Sequence, residues 1–248
     1  MPPLFMWLSP DRVFYRGLLG ATAVRTMGAV MVYSAYEGTI RVQVAQGPWQ
    51  LGKLAVVPAC TPHRIQAESR VIDVVQLEAE TLHEPSLPYP LQAQGIVEDR
   101  ALVGRIRSEC IALQGAHCSD HDFDRLFFEQ PLAIRPMDPR IARIVEQVKH
   151  APASPLSAEE CATQAQLSFS RFLHLFKQEV GQPFRSFRTW KRARALLHHV
   201  HSASNLAYVA LDTGYPDSTH FSHSIRQIYG LKPKDIVAGS RRLRVIPA

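Results

Sequence analysis

The spacing of apolar positions changes character along this 248-residue chain. From Val13 to about Glu80 apolar residues alternate with polar ones or gather in short runs, the period of half-buried and fully buried strands. Ala29-Val30-Met31-Val32-Tyr33 precedes a turn at Glu37-Gly38, and Ile40 to Val44 alternates strictly. Gln46-Gly47-Pro48 breaks the chain, Leu54 to Val57 is a buried-type run, and Arg70 to Leu77 closes the series. Short strands between turn residues predict a small antiparallel barrel or sandwich. After the Pro85–Pro90 loop the period becomes helical. Val103, Ile106, Cys110 and Leu113 form one stripe, which suits either packing on the barrel or a dimer seam. A further helix is expected over Phe123–Gln130, stopped by Pro131, and Pro136 and Pro139 mark the boundary between the halves.

Beyond that boundary one pattern is written twice. Ile141, Ile144, Val145 and Val148 define an opening helix that ends at the linker Ala151-Pro152-Ala153-Ser154-Pro155. Leu156–Gly181 and Asn205–Gly230 then each give a short helix, a tight turn and an amphipathic helix. Ala162 and Ala210 stand 48 residues apart, whereas Phe172/Phe176 and Phe221/Ile225 are offset by 49. A repeat at a fixed offset is stronger evidence than either copy alone. Ser157 is a natural N-cap and Glu160 completes a capping box, Ser168 caps the next helix, and Asp217 or Ser218 caps its counterpart. Phe169, Phe172, Phe176 and Val180 are expected to be buried, helped by Leu175, and likewise Phe221, Ile225 and Tyr229. The opposite faces carry hydroxyls, histidines and cations, the division a DNA-recognition helix needs. Between the copies, Phe184–Val200 is expected as one long helix with Phe187, Trp190, Ala193, Leu196 and Leu197 inward. Its cations, Arg185, Arg188, Lys191, Arg192 and Arg194, would be solvated or would touch phosphates.

Charge sharpens this division. Residues 1–137 hold 12 Lys/Arg against 14 Asp/Glu, and residues 138–248 hold 16 against 8, within a net charge of +6. A basic module beside a near-neutral one points to a polyanion for the C-terminal half. Apolar content of 46% supplies real cores. The four cysteines, Cys60, Cys110, Cys118 and Cys161, contain no C-x-x-C pair, so a reducing compartment fits them best. The first twelve residues lack a signal-peptide pattern and no apolar run approaches the roughly 20 residues of a membrane span. A cytoplasmic protein is expected.

Two chemical candidates lie in the first half. Gly52, Pro58, Cys60 and His63 are spaced as in the second sequence motif of the cupin superfamily, which this region partly resembles. Cys60 stands at that motif's glycine and Ala67 at its asparagine. The resemblance implies a jelly-roll barrel with a mouth for a small molecule. Cupin enzymes pair that histidine with an upstream H-x-H. No histidine occurs in residues 1–62, and a lone imidazole is a poor metal site. Neither catalysis nor a metal is therefore expected, and His63 reads first as a polar residue at the barrel rim or strand start, with effector contact as its other role. The loop holding His117, Cys118, Asp120, His121, Asp122 and Asp124 reads as a polar helix connection with an acidic N-cap.

Residues 140–238 resemble the C-terminal domain of AraC/XylS-type transcription regulators. The landmarks are Leu167-Ser168, Phe172, Phe176-Lys177, Gly181, Arg192–Leu197, Val209-Ala210, Gly214-Tyr215, His220-Phe221-Ser222, Tyr229-Gly230 and Pro233. The family commonly has arginine where His174 and His223 stand, and an aromatic-arginine pair where Ile236-Val237 stand. A neutral histidine offers one donor per ring, so operator binding is expected to strengthen as pH falls through the ordinary histidine range, about 6.5.

The expected fold is α+β, an N-terminal antiparallel β-barrel (cupin-like jelly roll) followed by an all-α double helix-turn-helix domain. Residues 1–95 would be the regulatory barrel, 96–137 connecting helices suited to dimerisation, and 138–240 the DNA-binding domain, with units at about 157–180 and 206–229. Ser168, Ser170, Arg171, His174 and Lys177, with Ser218, Thr219, His220, Ser222, His223 and Arg226, are the candidate DNA contacts. The partners implied are double-stranded promoter or operator DNA, a small-molecule effector, a second copy of the chain, and RNA polymerase if the protein activates. No cofactor is called for. The alternatives are control by a partner protein with a ligand-free cupin domain, or a cupin-type enzyme fused to a DNA-binding tail.

Overall fold

A computed structural model of the chain describes residues 2–20, 23–115, 118–200 and 206–248. The N-terminal half is built from β1 (Phe5–Leu8), β2 (Arg12–Leu18), β3 (Ala29–Ala35), β4 (Ile40–Val44), β5 (Trp49–Gly52), β6 (Leu54–Val57), β7 (His63–Ala67), β8 (Val71–Glu78) and β9 (Gly95–Ile96). Two helices follow, α1 (Arg100–Glu109) and α2 (Asp120–Phe128). The C-terminal half contains α3 (Pro139–His150), α4 (Ala158–Gln164), α5 (Phe169–Val180), α6 (Phe184–Ala195), α7 (Leu206–Asp212), α8 (Ser218–Tyr229) and α9 (Pro233–Gly239). A final strand, β10 (Arg244–Pro247), returns to the N-terminal sheet.

The expected antiparallel domain forms two open sheets instead of a closed barrel. Seven strands run in the order β10-β1-β2-β8-β3-β6-β9 and three in the order β5-β4-β7. All pairings are antiparallel except β10 with β1. Every residue of β3 and β8 is buried, because the large sheet is covered on both faces. Val30, Val32, Val75 and Leu77 meet α1 and α2 on one side. Met31, Tyr33, Ile72 and Val74 face the small sheet together with α6, α7 and α8 on the other. Helices of the C-terminal half thus complete the core that a closed barrel would have filled with strands.

The stripe on α1 is used within the chain. Ile106, Cys110 and Leu113 are fully buried, with Leu102, in the cluster that contains Phe5, Trp7 and Phe14, and Val103 is partly buried against it, so the stripe packs within the chain. The second helix begins three residues before the expected Phe123 because Ser119 and Asp122 form a reciprocal capping box. Phe123 stacks on Trp7 with ring centroids 4.9 Å apart, and Phe127 on Phe14 at 5.6 Å. Arg12 of β2 grips Asp124 of α2 through two contacts, 2.7 and 3.0 Å, which fixes that helix on the sheet. His117 lies outside the described residues.

Candidate nucleic-acid interface

The two helix-turn-helix units repeat bond for bond. In the first turn, Leu167 N donates to Ala162 O and Gln166 N to Thr163 O, at 2.9 and 3.0 Å. In the second, Tyr215 N donates to Ala210 O and Gly214 N to Leu211 O, both at 2.9 Å. Each partner is displaced by 48 positions. The offset becomes 49 at the caps, where Ser168 and Asp217 occupy equivalent places, so Pro216 is the added residue. Gln166 and Gly214, which correspond, are both left-handed with φ of 55° and 83°. Glycine is required at the second position, because a Cβ on Gly214 would lie 2.5 Å from the Ala153 backbone. Ala162 and Ala210 are buried where the paired helices meet. Asn205 lies outside the described residues.

The caps set where α5 and α8 begin. Ser168 accepts from Arg171 N, and Asp217 accepts from Thr219 N and His220 N. The Asp217 carboxylate, held below the usual carboxylate range by those donors, also takes the His220 ring at 2.7 Å. His220 Nε2 is then its outward-facing polar atom. Phe172, Leu175, Phe176 and Val180 bury the inner face of α5, and Phe221, Ser224, Ile225 and Ile228 that of α8. Phe169 departs from the expectation at 46% exposed. It occupies the first position of α5, ahead of the turn that meets α4. Ser168, Ser170, Arg171, His174 and Lys177 are exposed on α5 and its cap. On α8, Ser218, Thr219, His220, His223 and Arg226 are exposed and Ser222 is half-buried. The structure therefore brings the candidate residues onto two corresponding surfaces.

The linking helix differs most from expectation. It is α-helical only to Ala195, then tightens into a 3-10 turn over Leu196–His199. Two of its cations are not solvated. Lys191 Nζ binds Glu78 Oε2 at 2.6 Å and also contacts Glu80, and Arg194 Nε donates to Glu78 Oε1 at 2.9 Å. Trp190 Nε1 donates to Glu78 at 2.6 Å, and Arg194 Nη2 reaches the Ser9 carbonyl at 2.7 Å. Gly28 on the β domain admits the Trp190 indole, since a Cβ there would fall 2.3 Å from it. Burial pushes Glu78 up, but Lys191, Arg194 and their hydrogen bonds outweigh it and bring Glu78 to about 2. Glu80 is held above its ordinary value by burial and by the neighbouring Glu78 charge. Arg188 and Arg192 donate to the Ser154 and Pro152 carbonyls, which leaves Arg185 exposed. The sequence signal for this cluster was the spacing of Phe187, Lys191 and Arg194 at i, i+4 and i+7, which puts two cations on an apolar stripe.

The second unit shares one core with the sheets. Val209, Ala210, Tyr215, Phe221, Ile225 and Ile228 pack with Met31, Ile40, Val42 and Val74. The first unit has its own core with α3, built on Ile141, Ile144, Phe172 and Phe176. Between the large sheet and the end of α8 lies a mostly apolar cavity of about 350 Å³ touched by Tyr15, Met31, Tyr33, Tyr229 and Ile236. His63 sits behind Tyr33 at the start of β7. Its Nδ1 donates to the Thr61 carbonyl at 2.9 Å and its Nε2 accepts from Tyr33 Oη at 2.7 Å. Burial lowers its pKa to about 4, so the ring is neutral. No group of three or more metal-ligating side chains occurs among the described residues.

Two helix-turn-helix units on a linking helix, behind a β domain, define the architecture. Residues 161–238 match the family described as a helix-turn-helix domain. InvF invasion proteins of Salmonella typhi and Salmonella typhimurium are each 30% identical over 71 residues, 28% of this chain. The match spans 33% of those relatives' own length. ToxT of Vibrio cholerae has the same fold over nearly the whole molecule. An apo point variant of ToxT gives a TM-score of 0.60 at 9% identity, covering 92% of this chain and 97% of that one. ToxT of strain O395 gives 0.61, with 92% and 96% covered. Residues 161–238 thus match a helix-turn-helix domain, and the chain as a whole has a ToxT-like fold.

Proposed function

We propose that the chain is a sequence-specific DNA-binding transcription regulator whose N-terminal domain senses a small effector, dimerises, or both. The observation that carries this is the duplicated turn, which presents α5 and α8 with matching polar faces. Ser170, Arg171, His174, Thr219, His220 and His223 are assigned to base edges or nearby backbone, with Ser168, Ser218 and Ser222 at the helix starts or flanks. Lys177 and Arg226 are assigned to phosphates. The apolar cavity beside Tyr229 supports an effector with a substantial hydrocarbon part, because filling it touches the second unit and the sheets together. The protein acts in the cytoplasm, without enzymatic activity of its own, as a homodimer on operator DNA, with RNA polymerase a further partner if it activates. No described helix is long and apolar enough to cross a membrane.

Selection of bound sequences from a random duplex library with the full chain, then anisotropy titration of the recovered site, tests this. A recovered motif bound at least about 10³ times more tightly than scrambled duplex is expected. Equal affinity for both would overturn sequence-specific reading.

A further inference from the structure

A separate cavity of about 490 Å³ lies at the seam between the β domain and the first helix-turn-helix unit. One wall is the turn after β6, ending at Cys60, and another is the segment carrying Glu84, Leu87 and Leu91. The third is the end of α5, Val180 to Gln182. Gln182 is 3% exposed, and its Oε1 accepts from the Cys60 thiol at 3.4 Å. Its Nε2 has no hydrogen-bond partner among the described residues. A buried donor left unpaired is costly, and in a native protein it calls for an occupant. Cys60 adds a second oddity. Its φ of 59° is left-handed, the conformation for which the resembling motif keeps glycine. The strain persists at a position whose side chain orients the Gln182 amide.

The lining also selects the occupant's charge. Glu84 stands at the cavity, and no lysine or arginine lines it. Arg135, which neutralises Glu84 at 2.9 Å, is engaged with the Leu82 and Glu179 carbonyls. With Glu84 and Arg135 paired to each other, no free cation among the described lining residues is left to hold an anion, whereas a neutral carbonyl can accept from the Gln182 amide. Leu87, Leu91 and Val180 provide an apolar surface for the rest of the molecule. Burial raises the Cys60 pKa, which favours its thiol as a hydrogen-bond donor to Gln182 and leaves only a minor thiolate fraction to react with alkylating agents.

We propose that this seam is a binding site for a small neutral compound with a carbonyl acceptor on an apolar body, held by the Gln182 amide N–H. Such a ligand touches the β domain and the recognition helix of the first unit at once, and is distinct from any occupant of the cavity beside the second unit. Binding itself does not depend on the DNA-binding reading.

The test uses the full chain with ε-caprolactam, δ-valerolactone and hexanoate as probes. Saturation-transfer NMR measures binding, and mass spectrometry follows alkylation of Cys60 by iodoacetamide. Expected are binding of the lactam or the lactone, no binding of hexanoate at this site, and slower Cys60 alkylation when the neutral probe is present. Gln182→Met, close in shape and lacking the donor, should weaken binding about tenfold. Leu87→Phe narrows the opposite wall, leaves the amide in place and should also weaken it, so the proposal stays testable if Gln182→Met misfolds. Failure of both neutral probes to bind overturns the site. So does affinity or Cys60 protection unchanged in the variants that fold, and equal protection of Cys60 by hexanoate overturns the preference for a neutral ligand.

Discussion

Gln166 and Gly214 hold the same place in two copies of one turn, yet only one of them is glycine. A side chain in the left-handed region costs about 1 kcal/mol relative to glycine. Gln166 is exposed, so nothing in its packing offsets that cost. Gln166→Gly should therefore stabilise the protein by about 0.5 kcal/mol, after allowing for the looser unfolded chain. Urea unfolding of the two proteins checks it. Gly214→Ala should cost more than the torsion alone, because its Cβ would meet the Ala153 backbone. The paired histidines carry a second prediction at this scale. Both His174 and His223 are exposed on the proposed DNA faces. Operator affinity at fixed salt should rise between pH 8 and pH 6, and the pH slope should vanish in the His174→Arg, His223→Arg double variant. A slope that survives the double substitution removes histidine as its source.

At the scale of elements, the proposed function divides the exposed faces of α5 and α8 between reading and anchoring. Lys177→Ala and Arg226→Ala should weaken binding to all duplexes alike and reduce the salt slope by about one unit each. His174→Ala should instead relax selectivity at one position, as seen by comparing affinities for single-base variants of the operator. These helices were legible in the sequence because their caps, apolar stripes and terminal glycines are all local signals. Strands β3, β4, β6 and β8 were legible for the same reason. Strands β5, β7, β9 and β10 were not, since Gly95-Ile96 and Arg244–Pro247 acquire strand character only from the neighbours they pair with. The buried state of Lys191 and Arg194 was hidden in a similar way. Their partners, Glu78 and Glu80, are more than a hundred residues away, and no local rule connects an acidic strand end with a basic helix. The cation stripe on α6 was visible, but its meaning required the docking partner.

Across the whole molecule, that cluster governs how firmly α6 rests on the β domain. Glu78 is the ionised member, and its removal leaves Lys191 and Arg194 buried without their main counter-charge. Glu78→Gln should destabilise by about 3 kcal/mol. Glu80→Gln mimics the protonated form that burial and Glu78 favour, and should be neutral or stabilising at pH 7. Urea unfolding separates the two, and equal losses would show that both carboxylates are ionised. Because Glu78 is depressed from 4.5 to about 2 on folding, its stabilising contribution is complete above about pH 4.5. It is lost as pH falls from there through about 2. Glu80, being raised, acts with the opposite sign and loses its contribution as pH rises through its folded value. Thermal unfolding across pH 2.5 to 6 should therefore show an acid-side fall in the wild type that is reduced in Glu78→Gln.

The parallel pairing of β10 with β1 has a topological consequence. Four residues beyond α9 zip onto the strand that opens the N-terminal sheet, so the second unit is tethered on both sides. The helix α6 holds it from upstream and β10 from downstream, like a belt fastened at both ends. Swinging that unit away from the sheets requires peeling β10 off, which bares the β1 edge. An uncovered edge is a template for any extended segment, and the nearest matching one is the β10 of a second molecule. Release of β10 would thereby turn the opening strand into an edge that the same segment of another copy matches.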